Sequence, residues 1–169
     1  PFACMRFFKQ AKKTESWLSF ALLGEGIAAA SITRVAGARP AVDTCVFFAG
    51  QPGAELLEKA GRELRAPAFH CTTILSGGEY QMLAVEAPNV PADELKTAVR
   101  WRLKDMLDFH VDDATIDVLD IPVDKNAAVR TSHGMFAVAA RNSVIETRQG
   151  LFAAAKVGLS VIDIPEMAQ

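Results

Sequence analysis

The sequence predicts a mixed α/β fold (α+β, with two subdomains), in which short strands alternate with amphipathic helices. Half of its 169 residues are hydrophobic and 22% are charged, which is the balance of a folded globular protein. Two segments, 53–64 and 92–109, carry apolar residues at helical spacing, and short apolar runs flank both. A glycine-rich turn at 76–78 divides these elements into two groups.

The first group, in residues 14–78, opens with a predicted hairpin. Two apolar runs, 17–23 (WLSFALL) and 27–35 (IAAASITRV), flank a short glycine-containing turn, which is typical of two antiparallel strands. The rest of the group is expected in the order strand 44–48, amphipathic helix 53–64 and strand 68–75. This part of the chain is therefore predicted to contain three consecutive strands, a helix and a fourth strand.

The second group, in residues 79–165, has the predicted element order β-α-β-β-α-β. Its first helix, at 92–109, is indicated by an apolar stripe made of Leu95, Ala98, Val99, Leu103, Met106 and Leu107. Asp93 and Glu94 favour the start of this helix because they lie at the positive end of its dipole. The other elements are strands at 80–86, 115–121, 135–140 and 159–164, a polar loop at 124–133, and a helix at 144–157 that ends before Gly158.

The two ends of the chain lie outside these groups. Residues 1–13 are predicted to be a basic N-terminal tail, and residues 166–169 form the C-terminal end. Within the tail, 6–13 (RFFKQAKK) places two phenylalanines beside cations, a pattern that also suits a weak anchor at a membrane interface. A frayed basic terminus is the simpler interpretation, and we favour it.

Charge, cysteine content and hydropathy exclude several classes of function. A net charge of −2 and a pI near 5.9 provide no field that would attract nucleic acid. Cys4, Cys45 and Cys71 are odd in number and widely spaced, which argues against a disulfide framework and suits a reducing compartment. The apolar runs are too short to span a bilayer, so attachment to a membrane would depend on another protein or on a part of the protein outside this sequence.

One segment resembles a known family. Residues 85–122 (VEAPNVPADELKTAVRWRLKDMLDFHVDDATIDVLDIP) are similar to the MshI proteins of MSHA-pilus biogenesis, relatives of the type IV pilus protein PilM. The resemblance implies the first lobe of an actin-like ATPase (ribonuclease H-like) fold. Residues 14–78 would be the first part of subdomain 1A, and residues 79–165 an inserted, 1C-like subdomain that returns to 1A.

The same resemblance implies a function. It predicts a non-catalytic scaffold of a pilus-assembly platform, cytoplasmic and peripheral to the inner membrane. Its partners would be the cytoplasmic tail of a bitopic inner-membrane pilus protein and a second copy of the chain, with no cofactor. A cytoplasmic domain of type II secretion, which shares this architecture, is an alternative.

Of the features of actin-like ATPases, the nucleotide-binding residues are the ones that this sequence retains least. Aligned on the first hairpin turn, the family's phosphate-loop Asp falls at Ala21, which can neither bind a metal nor polarise water. Gly24 and Gly26 remain as a degenerate nucleotide-binding turn. The chain also ends near Ile164, about where the first half of an actin-like fold would finish. We therefore expect no ATP binding; the alternative is a true ATPase that lacks its second half here.

A thiol or metal site is the third possibility that the residues raise. His70 and Cys71 are adjacent on a predicted strand, so their side chains are expected on opposite faces. His110 and Asp112 flank a predicted helix end, where an imidazolium is favourable without any metal. No zinc-type spacing is present, and we expect no metal. A small cysteine-dependent enzyme is a third alternative, but the sequence positions no base beside a thiol.

The candidate partner-binding residues lie on the helix at 92–109. Trp101 lies about 150° from the apolar stripe, taking 100° per residue. Its cationic neighbours include Arg100 and Lys104. Because Trp and Arg dominate binding hot spots, we predict that Trp101, Arg100 and Lys104 form an interface anchor. In the alternative interpretation, Trp101 packs on a neighbouring part of the same chain.

Overall fold

The computed structural model describes residues 14–35, 37–91, 93–121 and 134–168. The predicted polar loop at 124–133 lies outside these ranges, as does the basic tail at 1–13.

Eight strands and three α-helices make up the described residues. The strands are β1 (Thr14–Leu23), β2 (Gly26–Val35), β3 (Ala41–Ala49), β4 (His70–Ile74), β5 (Tyr80–Glu86), β6 (Ala114–Asp120), β7 (Gly134–Arg141) and β8 (Leu159–Asp163). The helices are α1 (Ala54–Glu63), α2 (Leu95–Leu103) and α3 (Asn142–Ala154). Short 3-10 turns cover Ala66–Ala68, Val111–Asp113 and Pro165–Ala168.

These elements form two compact units. Unit one contains the described residues up to Ile74 together with Phe152–Val161. Unit two contains Leu75–Leu151 and resumes at Ile162. The chain therefore leaves unit one after β4 and returns to it through the end of α3 and the start of β8.

Unit one is built on a five-stranded sheet in the order β3-β2-β1-β4-β8. β1 and β2 form the predicted hairpin, with Leu23 opposite Gly26 and a two-residue turn between them. β4 runs parallel to β1. Phe20 of β1 is fully buried and meets Phe152 edge-on, with ring centroids 6.1 Å apart. This aromatic pair joins the start of the chain to the end of α3 in one core.

Unit two is built on a three-stranded antiparallel sheet in the order β5-β7-β6. Its core is a cluster of fully buried residues from α2 and β7, namely Val99, Leu103, Met135 and Ala137. Partly buried apolar residues from β5, β6 and the ends of α2 pack around this cluster. The apolar stripe of α2 therefore faces the sheet, as its periodicity predicts.

The predicted helix at 92–109 is too long at both ends. Helix α2 ends at Leu103, and Met106, which the prediction placed in the buried stripe, is 47% exposed. Carboxylates are unfavourable at the negative end of a helix dipole, and Asp108 instead bonds to β5: its backbone N–H donates to the Gln81 amide oxygen at 3.2 Å. The Gln81 amide group in turn donates to the Asp108 carboxylate. Phe109 then lies under the Arg141 guanidinium, 4.4 Å from its ring centroid.

Other element boundaries also differ from the predictions. The strand expected at 68–75 begins only at His70, because a 3-10 turn containing Pro67 precedes it. The helix expected at 144–157 begins at Asn142 and ends at Ala154, before the predicted stop at Gly158. Lys156 ends it instead: this residue adopts a left-handed φ of 58°, its N–H donates to Ala153, and the next N–H donates to Phe152.

Helix α3 carries one buried cation that the sequence reading missed. The prediction placed Ile145, Leu151, Phe152 and Ala155 inward; the last two are buried and the first two half-buried. Arg148 is only 6% exposed and donates to both carboxylate oxygens of Glu79, at 3.0 and 2.8 Å. The Glu79 carboxylate also accepts the Ser76 N–H at 2.6 Å, which closes the predicted turn before β5.

Candidate partner-binding surface

The outer face of α2 presents a large aromatic side chain to solvent. Trp101 is 70% exposed, while Val99 and Leu103 on the opposite face are fully buried. An indole this exposed has much apolar area that a second surface could cover. Within the described residues, no other part of the chain buries Trp101, as it would if this side chain packed on a neighbouring element.

The three predicted anchor residues do not behave alike. Arg100 turns back toward the sheet, where its guanidinium donates to the Ala114 carbonyl at 3.2 Å and lies 3.5 Å from an Asp112 carboxylate oxygen. Lys104 is exposed at the end of α2, one helical turn beyond Trp101. The structure therefore brings Trp101 and Lys104 to the same outer face and gives Arg100 contacts within unit two.

Two other cations of α2 have partners within unit two. Arg102 donates to the Glu86 carbonyl at 2.8 Å, and Lys96 forms an ion pair with Asp117 at 2.7 Å. Partial burial would raise the pKa of Asp117, but the hydrogen bond from Lys96 and that from the Val118 N–H outweigh it, so this pKa is lowered. Arg102 and Lys96 therefore have contacts within unit two, whereas the indole of Trp101 is exposed.

The first hairpin shows what its two glycines do. Gly24 lies in the exposed turn, where a Cβ atom would contact nothing within 4 Å. Gly26 is buried, and a Cβ there would lie 2.3 Å from the Phe48 carbonyl oxygen, so close packing against β3 requires glycine. Ala21 lies within β1 opposite Ala28. The geometry of the turn is therefore explained by strand packing without any bound phosphate.

The thiol and imidazole candidates lie apart. His70 is exposed and contacts Trp17, with ring centroids 5.1 Å apart and the planes tilted by 42°, whereas Cys71 is buried, so the two side chains point to opposite faces as predicted. Burial raises the pKa of the Cys71 thiol, which is the reverse of what a nucleophilic thiolate needs. His110 instead accepts the Asp112 N–H at 3.3 Å. Within the described ranges, no group of three or more His, Cys, Asp or Glu side chains could hold a metal ion.

The sequence reading missed one concave site altogether. A pocket of about 490 Å³ lies in unit one at the carboxyl ends of α1 and α3. Arg65 and Lys156, which line it, both follow a helix at positions where glycine is usual, so the sequence offered no turn signal there. The pocket forms where the ends of two helices that are distant in sequence approach each other. No local sequence pattern predicts that approach.

This arrangement of strands and helices defines the fold class as the predicted actin-like one. No protein-family model matches the sequence, and no curated protein matches it either. Among solved structures, a chain of the PilM–PilN type IV pilus biogenesis complex aligns with a TM-score of 0.70 at 18% identity. That alignment covers 89% of this chain and 48% of the other.

A second solved structure has the same fold. The cytoplasmic domain of EpsL, an inner membrane component of the type II secretion system of Vibrio cholerae, aligns with a TM-score of 0.60 at 16% identity, over 88% of this chain and 57% of that one. The chain therefore spans about half the length of the two proteins it matches. A Bacteroides thetaiotaomicron protein of unknown function with an actin-like ATPase fold aligns at a TM-score of 0.42 and 7% identity, over 95% of this chain and 55% of that one, a likeness too weak to carry an argument. None of the helices in the described residues is long and apolar enough to cross a membrane.

Proposed function

We propose that this chain is a non-catalytic scaffold of a type IV pilus biogenesis platform of the MSHA kind, cytoplasmic and peripheral to the inner membrane. The likeness to a chain of the PilM–PilN type IV pilus biogenesis complex is the observation that carries the proposal. The resemblance of residues 85–122 to the MshI proteins supports the MSHA system in particular. In this role the chain binds the cytoplasmic tail of a bitopic inner-membrane pilus protein.

A type II secretion platform is the second candidate, because the cytoplasmic domain of EpsL has the same fold. Both candidates assign the chain a role in assembly rather than in catalysis. They differ only in the membrane protein that is bound, so binding measurements with the two classes of cytoplasmic tail decide between them.

The exposed face of α2 gives this proposal a direct test. Trp101→Ala is expected to weaken binding of the pilus protein's cytoplasmic tail by about 2 kcal/mol, on the order of thirtyfold in affinity, because an exposed indole contributes strongly when a partner covers it. Calorimetric titration of the whole chain with that tail, taken from the same organism, measures the change. The melting temperature should stay nearly constant, since Trp101 packs little within its own chain.

Two matched variants make the result specific. Trp101→Phe keeps an aromatic ring and should retain part of the affinity, whereas Lys59→Ala changes an exposed cation on α1 and should have no effect. Binding that is identical in the native chain and in Trp101→Ala would remove α2 from the interface. Self-association that weakens in Trp101→Ala while tail binding is unchanged would assign the face to a second copy of the chain.

Nucleotide binding separates the scaffold from the ATPase alternative. Mg-ATP is expected to give no binding isotherm tighter than millimolar, because Ala21 supplies no carboxylate and Gly26 is required by strand packing. Isothermal calorimetry at high protein concentration checks this expectation. A saturable micromolar isotherm would contradict the scaffold proposal and favour a true ATPase.

A further inference from the structure

The pocket at the carboxyl ends of α1 and α3 lies entirely within unit one and is separate from α2. The 3-10 turn Ala66–Ala68 forms its third wall. Its volume of about 490 Å³ falls within the usual range for ligand pockets, so it holds a few side chains of a bound segment.

The floor of this pocket is made of small apolar residues. Ala66, Ala155 and Val157 are buried, and Gly61 of α1 lies directly against Val157. A Cβ atom at Gly61 would lie 2.7 Å from a methyl carbon of Val157, so only glycine allows the two helix ends to approach this closely. The floor is therefore shallow, apolar and fixed in shape by the packing of α1 against the residues that follow α3.

The rim of the pocket is cationic. Arg62, Arg65 and Lys156 line it with a single carboxylate, Glu58. Lys156 donates to this carboxylate at 3.0 Å, and that hydrogen bond lowers the pKa of Glu58. The two arginines leave an excess of positive charge around an apolar floor, which complements a ligand that carries carboxylates beside an apolar group.

Two of the rim cations are held in a backbone conformation that is unfavourable for them. Arg65 and Lys156 have φ values of 55° and 58°, and they are the non-glycine residues with positive φ in the described part of the chain. Glycine would adopt this left-handed conformation freely, whereas an L-residue there costs conformational free energy. Backbone outliers of this kind concentrate at functional sites, and here both place a long cationic side chain at the same pocket.

From these observations we infer that the pocket binds a short segment of a partner protein in which an apolar side chain is flanked by carboxylates. The apolar side chain occupies the floor, and the carboxylates pair with Arg62, Arg65 and Lys156. A peptide fits better than a small amphiphile because the three cations project from two separate helix ends and the turn between α1 and β4. Binding here does not depend on α2 or on the pilus role of the chain.

A blocked peptide of sequence Asp-Leu-Leu-Glu is a suitable probe, with Lys-Leu-Leu-Lys as its charge-reversed control. Titration of the whole chain, followed by amide NMR, should shift the signals of Ala66, Ala155 and Val157 saturably with the acidic peptide alone. The affinity should fall at least tenfold between low and high salt, because charge pairs at an exposed rim are screened. Equal shifts with both peptides, or shifts elsewhere only, would overturn the inference.

The decisive variants are Arg65→Gly and Lys156→Gly. Each removes a rim cation and also relieves the left-handed strain, so the melting temperature should rise by about 2 °C while peptide affinity falls about tenfold. If a cation only stabilised the end of its helix, replacing it by glycine would not weaken peptide binding. Lys59→Ala, an exposed cation of α1 outside the pocket, is the control and should change neither quantity.

Two further outcomes contradict the inference. Unchanged peptide affinity in both glycine variants would show that the rim cations do not recognise carboxylates. Binding of free 4-methylvalerate as tightly as the acidic peptide would reassign the pocket to a small carboxylated ligand.

Discussion

Replacing Glu79 by glutamine is expected to destabilise the protein by about 3 kcal/mol, which is at the lower end for breaking a buried ion pair. The Arg148 side chain is 7% exposed and that of Glu79 is 33% exposed, so the variant leaves a guanidinium buried without its carboxylate. The glutamine oxygen can still accept the Ser76 N–H, so the loss reports the charge rather than the turn. Urea denaturation, with the m-value checked for two-state behaviour, measures the change.

Two comparisons isolate the buried charge as the cause. The double variant Glu79→Gln/Arg148→Met removes the cation as well and should recover much of the lost stability, because a buried methionine needs no counter-ion. Lys96→Ala breaks the exposed pair with Asp117, whose side chains are 63% and 68% exposed, and should cost less than about 1 kcal/mol. Equal losses in Glu79→Gln and Lys96→Ala would contradict a special role for the buried pair.

Leu103→Ala is expected to cost about 2–5 kcal/mol, the usual range for truncating a buried leucine. Leu103 has no exposed area and packs with Val99 on Met135 and Ala137 of β7. The change removes contacts and opens a cavity at the centre of unit two. Chemical denaturation followed by circular dichroism measures the loss.

Met106→Ala is the matched control for this prediction. The sequence pattern placed Met106 in the same apolar stripe, but the structure leaves it 47% exposed beyond the end of α2. Its truncation should therefore cost less than about 1 kcal/mol. A loss as large as that of Leu103→Ala would show that the helix continues through Met106, as the periodicity alone suggests.

The two residues also show how far the sequence determines the fold. The apolar periodicity identified the buried face of α2. It also placed Trp101 on the opposite side of the helix, because both positions follow from helix geometry. It could not locate the end of the helix. Asp108, which the periodicity placed inside the helix, instead forms hydrogen bonds with Gln81 of β5, a residue distant in sequence.

In the candidate site, too, some features could be predicted from the sequence and others could not. The exposed indole was predictable from local spacing, whereas the direction of Arg100 depends on the Ala114 carbonyl at the start of β6. The buried position of Arg148 depends likewise on the turn before β5. Long cationic side chains reach partners that lie far away in sequence, so their roles become visible only when the elements are assembled.

The nested chain path of the two units has a consequence during protein synthesis. A ribosome releases β1 to β4 well before Phe152 and β8, so the nascent sheet of unit one emerges without its fifth strand and without the ring that packs on Phe20. The segment Leu75–Leu151, which makes up most of unit two, is continuous. It is therefore fully synthesised while the edge of β4 that later pairs with β8 is still unpaired. Until translation passes Asp163, the open edge and the uncovered aromatic are the points at which chaperones or neighbouring nascent chains would engage this protein.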